Sequence, residues 1–526
     1  MSSRPTVETP SGVVRGVVRS TGSGGSSLRY GEVAAFLGIR YGEAPVGERR
    51  FRAPVPVAPW AGVLDATEYG PRSVQPTSLL APAGEPEDED CLVLNVWTPD
   101  VDAALPTMVW IHGGSFTTGS GSLNFYDGSR LAARGAVVVS INYRLGALGF
   151  LHLAGLDDAF AGTSNLGLLD QRLALEWVQR HIASFGGDPQ RVTIFGESAG
   201  AMSVSLQVAT AADSGLFHRA IAQSGAAGHV QTADHGTAVA ERVVSLLGLG
   251  PRELSAVRDV PAAAIRDAVA TVSAERLADI VLPFCPTIDG TVIPDAPVGL
   301  LRSGSGAAVA LLSGTNAHEM NLFRLQALLS GSSGELTDRQ LRARMANMVE
   351  FWQAGVDADT AIGRYRARFP LLGNGELWSA VSTDTMFRVP MTHMLDAHAA
   401  AGAPTWSYHF THPSHAFDGA LGAAHAIEIP FVFDNVHQDG VEFLLGPITD
   451  ERARFASDVA DTWVRFAAAD DLDTELTVPG TEAVWGRYGP RGRTQAVLDH
   501  GPELVEDLNA ELLTMWIADG DPATGR

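Results

Sequence analysis

Short apolar runs and longer amphipathic stretches alternate along this chain. The runs Thr107-Met-Val-Trp-Ile-His112, Ala136-Val-Val-Val-Ser-Ile-Asn-Tyr143 and Val192-Thr-Ile-Phe195 are dominated by β-branched and aromatic residues. Each is too short for a helix and too apolar for an exposed strand, so each predicts a strand buried on both faces of a parallel sheet. Arg219-Ala-Ile-Ala222, Ala308-Val-Ala-Leu-Leu-Ser-Gly314 and Thr405-Trp-Ser-Tyr-His-Phe410 read the same way. Between them the period changes. Leu169, Leu173 and Trp177, with Ala174 and Val178 beside them, form an apolar stripe at spacing four, the mark of an amphipathic helix. Phe455, Val459 and Trp463 do the same for a helix over Glu451 to Ala468, and a last helix is expected from about Glu503 to Ile517. Residues 230–280 and 335–400 read as helix-rich insertions that cap the sheet. Near the start, Val7 to Arg19 reads as a hairpin around a Pro-Ser-Gly turn, and Thr21 to Ser27 as a Gly/Ser-rich loop. Strands alternating with helices predict an α/β fold with a large, mostly parallel central sheet flanked by helices. No internal repeat and no long linker divides the chain, so residues 1–526 are expected to form a single domain.

Composition narrows the chemistry. Of 526 residues, 45% are hydrophobic and 18% charged, which describes a globular chain. The net charge of −23 argues against nucleic acid and anionic membranes as partners. The sequence contains no lysine, so all 37 basic residues are arginine. Schiff-base, Ser-x-x-Lys and P-loop chemistry are thereby removed. Two cysteines, Cys91 and Cys285, are too few for a disulfide scaffold. Met1 to Arg19 holds no apolar signal core, and no window reaches 18 uninterrupted apolar residues. The expectation is a cytoplasmic protein, monomeric or weakly homo-oligomeric. The acidic run Glu85 to Asp90 reads as a solvated surface turn.

Candidate chemistry lies where strands end. Val192–Phe195 runs directly into Gly196-Glu197-Ser198-Ala199-Gly200, and Ala201, Met202, Val204, Leu206 and Val208 follow with helix-compatible residues. A bare G-x-S-x-G is a common turn, but strand, glycine-flanked turn and helix together are the setting of a nucleophile elbow. Ser198 is therefore the candidate nucleophile. Upstream, the strand ending at His112 delivers His112-Gly-Gly-Ser-Phe116, a loop suited to presenting backbone N–H groups to an oxyanion. A serine hydroxyl needs a base, and the base an orienting acid, and in an elbow fold both follow the serine in the chain. That order excludes His112, His152 and His181. His425 lies on a small-residue loop after the 405–410 strand, and Glu319 follows the 308–314 strand. His318 and Asp289 are rivals, while His412 and His415 form either a surface turn or a chance metal-like pair.

The sequence also resembles a type-B carboxylesterase, the family of bacterial para-nitrobenzyl esterases, animal carboxylesterases and cholinesterases. Phe185-Gly-Gly-Asp-Pro-Gln-Arg-Val-Thr-Ile-Phe-Gly-Glu-Ser-Ala-Gly200 is similar to that family's first signature and Glu89-Asp-Cys-Leu-Val-Leu-Asn-Val96 to its second. Phe36-Leu-Gly-Ile, Asn142-Tyr-Arg, Asn165 to Gln171, Gln223-Ser-Gly225, Gly314-Thr-Asn316 and His425 to Phe433 add further likeness. The resemblance implies an α/β-hydrolase fold and a serine ester hydrolase of small to medium uncharged esters that needs no cofactor or metal. It implies Ser198 as nucleophile, Glu319 as acid and His425 as base, with Gly113, Gly114 and Ala199 donating N–H groups to the oxyanion. Glu197 is expected either to favour the imidazolium or merely to brace the elbow. Glu197, Phe116, Met320, Leu322 and Phe323 lie on or beside these loops and are candidate substrate contacts. Nothing upstream can pair with Cys91 in the disulfide of the family's extracellular members, so Cys91 is read as a free buried thiol. Thr77 to Ala83 contains no aromatic residue to stack on a quaternary ammonium, which disfavours cholinesterase activity. A lipase, an amidase or carbamate hydrolase with the same triad, and a non-catalytic neuroligin-like binding protein are the alternatives.

Overall fold

Strands form where large apolar side chains point alternately to two faces that can both be covered. The computed structural model describes residues 4–22, 28–78, 84, 86–250, 252–275, 282–329 and 331–517, and among them eleven strands make one sheet. In chain order these are β1 (Val17–Ser20), β2 (Glu32–Arg40), β3 (Val93–Thr98), β4 (Leu105–Ile111), β5 (Val137–Ile141) and β6 (Gly187–Glu197). They continue with β7 (Arg219–Gln223), β8 (Ala310–Asn316), β9 (Thr405–Phe410), β10 (Gln495–Leu498) and β11 (Glu503–Val505). Their order across the sheet is β11-β10-β9-β8-β7-β6-β4-β5-β3-β2-β1. The run from β5 to β10 is parallel, and both flanks are antiparallel. The expected N-terminal hairpin is present only in part. Thr6–Thr9 pairs with Gly12–Arg15, and together with Val63–Asp65 they form a separate small sheet, whereas Val17–Ser20 joins the large one.

The alternation sorts the core. From β4, Val109 and Ile111 enter one apolar cluster and Met108 and Trp110 the other, each on its own face of the sheet. The helix Leu166–His181 covers the first face with Leu173, Ala174, Trp177 and Val178. The helix Asp450–Ala468 covers the second with Phe455, Val459 and Trp463, as the spacing predicts. Burying side chains of this size contributes about 1.5–3 kcal/mol each. A third cluster is built from the helices Asp338–Phe351, Ala358–Arg368 and Asn374–Thr383, and the C-terminal residues Leu512, Leu513, Met515 and Trp516 close it.

Two expectations fail. In place of a helix from Glu503 to Ile517, β11 pairs antiparallel with β10 and a single turn, Ala510–Leu513, follows. Asp507 and Asn509 adopt φ of 45° and 60°, which a continuous right-handed helix forbids. Nor are Glu87 to Asp90 of the acidic run a freely solvated turn, Glu85 lying outside the described residues. Glu87 reaches Arg266 at 3.4 Å, and Glu89 and Asp90 pair with Arg50 and Arg40, with the Glu89–Arg50 pair largely buried. No helix among the described residues is long and apolar enough to cross a membrane.

The parallel register brings the carboxyl ends of β4, β6, β7, β8 and β9 together. Ile111, Gly196, Ala222, Ser313 and Ser407 stand side by side. Loops leaving that edge of an α/β sheet are where ligand sites form.

Candidate active site

β6 ends at Glu197 and the helix Ala199–Ala211 begins at once, leaving Ser198 alone in the turn with φ 57° and ψ −125°. A non-glycine residue rarely holds such a conformation, and the tight packing around it explains why this one does. A Cβ on Gly196 would lie 2.5 Å from Ile111 O, and Cβ atoms on Gly200 and Gly225 would collide with Ile111 O and Ser198 O. The small residues of the pattern are therefore dictated by backbone contacts between neighbouring strands. Ser198 N donates to Gln223 O at 2.9 Å, which fixes the turn to β7.

The loop after β4 runs alongside. Gly114, Ser115 and Phe116 have φ of 114°, 55° and 60°, a succession that bends the chain tightly on itself. A Cβ on Gly113 would lie 3.0 Å from the Ser198 Cβ, so this backbone passes directly beside the serine. Among the described residues, the backbone N–H groups of Gly113, Gly114, Ser115 and Ala199 have no hydrogen-bond partner. The loop itself is pinned. Thr117 N and Thr118 N donate to Gly114 O, Gly119 N donates to Gln75 Oε1 at 2.7 Å, and Tyr143 OH donates to His112 O at 2.7 Å. Burial pushes the His112 imidazole down to about 4, so it is neutral and its Nδ1–H donates to Gly113 O at 2.8 Å.

β8 and β9 supply the acid and the imidazole. Glu319 is wholly buried, and its Oε1 accepts from Ser224 Oγ at 2.6 Å and from Asn316 N at 2.7 Å. Its Oε2 accepts from His425 Nδ1 at 2.7 Å. The other ring nitrogen, Nε2, lies 3.1 Å from Glu197 Oε1, which places the imidazole beside the elbow. Ser198 Oγ has no hydrogen-bond partner among the described residues. Burial raises Glu197 to about 8, aided by Glu428 and Glu319 and opposed by His425. Burial works against the His425 cation, but Glu197, Glu319 and Glu428 outweigh it and raise the imidazole to about 9. Glu428 is a third buried carboxyl, held by Asn316 Nδ2 at 2.6 Å and Gln223 Nε2 at 3.1 Å and pushed up by burial.

The remaining candidates divide. Phe323 lies with its ring 5.3 Å from that of His425, and half-buried Met320 donates its N–H to Thr383 Oγ1 at 3.2 Å. Phe116 turns into the core against Phe150, and Leu322 is buried in the opposite cluster. The rivals make other bonds, although His318 adjoins Glu319 in the chain and packs against the loop that carries His425. His318 Nδ1 accepts from Ala423 N at 3.2 Å, and Asp289 accepts from Asn165 Nδ2 at 3.0 Å. His412 is buried between Asp499 Oδ1 at 2.9 Å and Arg452 Nε at 3.1 Å. With His500 and Asp499 it comes within metal-binding reach, but a guanidinium occupies its second nitrogen. Five residues that touch the site have no role in the sequence analysis: Ser115, Ser224, Asn316, Glu428 and Phe387, whose ring lies 4.9 Å from that of His425. Ser115, Ser224, Asn316 and Glu428 stand inside motifs named above, so the sequence carries a signal for them. Phe387 has none, since a helical block delivers it.

Comparison with known proteins agrees in one direction. Residues 3–516 match the carboxylesterase family. The chain is 36% identical to the para-nitrobenzyl esterase of Bacillus subtilis over 91% of its length and 94% of that protein's. It is 34% identical to the phenmedipham hydrolase of Pseudarthrobacter oxydans, covering 94% of this chain and 98% of that one. Among solved structures, the carboxylesterase of Geobacillus stearothermophilus superposes with a TM-score of 0.82 at 34% identity, over 98% of this chain and all of that one. The sheet described above is thus the α/β-hydrolase fold.

Proposed function

The chain belongs to the carboxylesterase family and is a carboxylic ester hydrolase, and on that premise we propose that it cleaves small to medium uncharged esters through an acyl-enzyme on Ser198. His425 takes the Ser198 proton through Nε2, and the serinate attacks the ester carbonyl. The backbone N–H groups of Gly113, Gly114 and Ala199, with Ser115 beside them, receive the oxyanion. His425 then protonates the departing alcohol, and water cleaves the acyl-enzyme by the same steps in reverse. Glu319, held by Ser224 and Asn316, keeps the Nδ1–H tautomer and stabilises the imidazolium. Where it is ionised, Glu197 supplies a second charge that favours the cation. The proton transfer requires Ser198 Oγ to turn towards Nε2, and catalytic hydrogen bonds of this kind commonly tighten when substrate binds. We further propose that the helices within 230–280 and 335–400, where 251 and 276–280 lie outside the described residues, cap the site, and that the protein works in a reducing compartment such as the cytoplasm. Supporting the last, Cys91 and Cys285 are both buried free thiols, Cys91 being raised by burial to about 12.

The observation that carries this reading is a single imidazole fixed between Glu319 and Glu197, one residue from a serine in a strained elbow. Ser198→Ala is expected to lower kcat for para-nitrophenyl acetate by more than about 10⁴-fold, with an unchanged circular-dichroism spectrum. Retained activity in that variant overturns the proposal.

A further inference from the structure

We propose that Trp516, Tyr365 and Asp384 form a buried positioning chain that holds Phe387 against the His425 imidazole and thereby limits the size of ester the site accepts. The inference rests on the reading of His425 as the base.

Phe387 belongs to a π-helical turn, Asp384–Arg388, set between the helices Asn374–Thr383 and Val389–Ala400. Such turns are rare, and they occur frequently at functional sites. Here the turn meets three loops of the site. Phe387 faces His425 at 4.9 Å between ring centres, and Thr383 Oγ1, just before the turn, accepts from Met320 N. Pro390 has no N–H to offer the carbonyl of Met386 four residues earlier, and that carbonyl accepts instead from His229 Nε2 at 2.7 Å.

The other side of the turn is tied to the end of the chain. Asp384 pairs with Arg388 across the turn and accepts from Tyr365 OH at 2.7 Å. Tyr365 OH in turn accepts from Trp516 Nε1 at 3.0 Å. Trp516 and Tyr365 are wholly buried, and Asp384, Arg388 and Phe387 are 3%, 5% and 6% exposed. Water cannot replace a broken link at that depth, so loss of one bond leaves a buried polar group unpaired. Phe387 therefore enters the site from a block with its own apolar core, and the hydrogen-bonded chain registers that block on the imidazole. Phe323, the other ring against His425, follows directly on the Glu319 loop and needs no such tie.

The test uses the full-length protein and two substrate series, para-nitrophenyl esters of increasing acyl size and acetates of increasing alcohol size. Phe387→Ala is expected to raise kcat/KM for the bulkiest member relative to the smallest by about tenfold in one series. Tyr365→Phe removes only the hydroxyl and is expected to shift the same ratio the same way by about threefold, chiefly through KM. In the double variant the shift matches that of Phe387→Ala alone, because the ring being positioned is gone. If Tyr365→Phe does not fold, Trp516→Phe breaks the next link and is read the same way. A Tyr365 variant that loses thermal stability yet keeps the wild-type ratio overturns the inference, as does an additive double variant. Failure of the underlying mechanism shows separately, as ester hydrolysis that survives Ser198→Ala.

Discussion

His425 stands between two carboxylates of different standing. Glu319 accepts three hydrogen bonds, from Ser224, Asn316 and the imidazole, and has the environment of an orienting anion. Glu197 Oε1 faces only the imidazole, and burial raises the group to about 8. Where Glu197 is ionised it favours the His425 cation, which is the form that cannot accept a proton from Ser198. Removing that charge lowers the imidazole's pKa, so the neutral base is present at lower pH. Glu197→Gln is therefore expected to move the acid limb of the kcat/KM profile to lower pH by about one unit. A limb that stays put, or moves upward, contradicts the electrostatic role and leaves Glu197 a brace. Glu319→Gln tests the other arm. It is expected to reduce kcat by about 10⁴-fold, less than His425→Ala, because the base is misoriented and not lost.

At the scale of elements, the elbow is a matter of clearance between β4, β6 and the helix that follows. Gly200 faces backbone atoms of Ile111 and His112, which cannot move aside as a side chain would. Gly200→Ala is expected to cost more than about 2 kcal/mol, read as a lower urea midpoint. Gly299, in the helix Pro297–Arg302, has open space at its Cβ, and Gly299→Ala should be neutral or stabilising by up to about 1 kcal/mol. Equal midpoints for the two variants contradict this account of the motif. The same backbone logic explains what could be read from the sequence. The parallel strands were legible because burial on two faces leaves near-continuous apolar runs, as in Val137 to Ile141. The segment 503–517 was not, since a three-residue edge strand and one helical turn leave no period long enough to distinguish them. Glu89 and Asp90 depart from the solvated turn that their charge predicts because a charge run does not reveal the distant arginines that pair with it.

Across the whole molecule, a site assembled from several strand ends is only partly local. Ser198 and its glycines could be read from one contiguous stretch. The Glu319–His425 pairing spans 106 residues, and residue spacing alone leaves His318 and Asp289 open; only the family resemblance separates them. Phe387 is hidden because it sits in a helical block that packs largely on a core of its own, only the turn and the helix Val389–Ala400 reaching the sheet. The molecule's thiols offer a global check, since both are buried and free. Ellman's reagent is expected to react with neither cysteine in the native protein and with both in guanidinium chloride; rapid reaction before denaturation contradicts the burial. The most direct test of the central claim is covalent. Incubation with a dialkyl fluorophosphate, followed by intact-mass and peptide analysis, is expected to show one phosphoryl group per chain, on Ser198, gained in step with the loss of esterase activity. Inactivation with the label on another residue, or full labelling of Ser198 with activity intact, contradicts it.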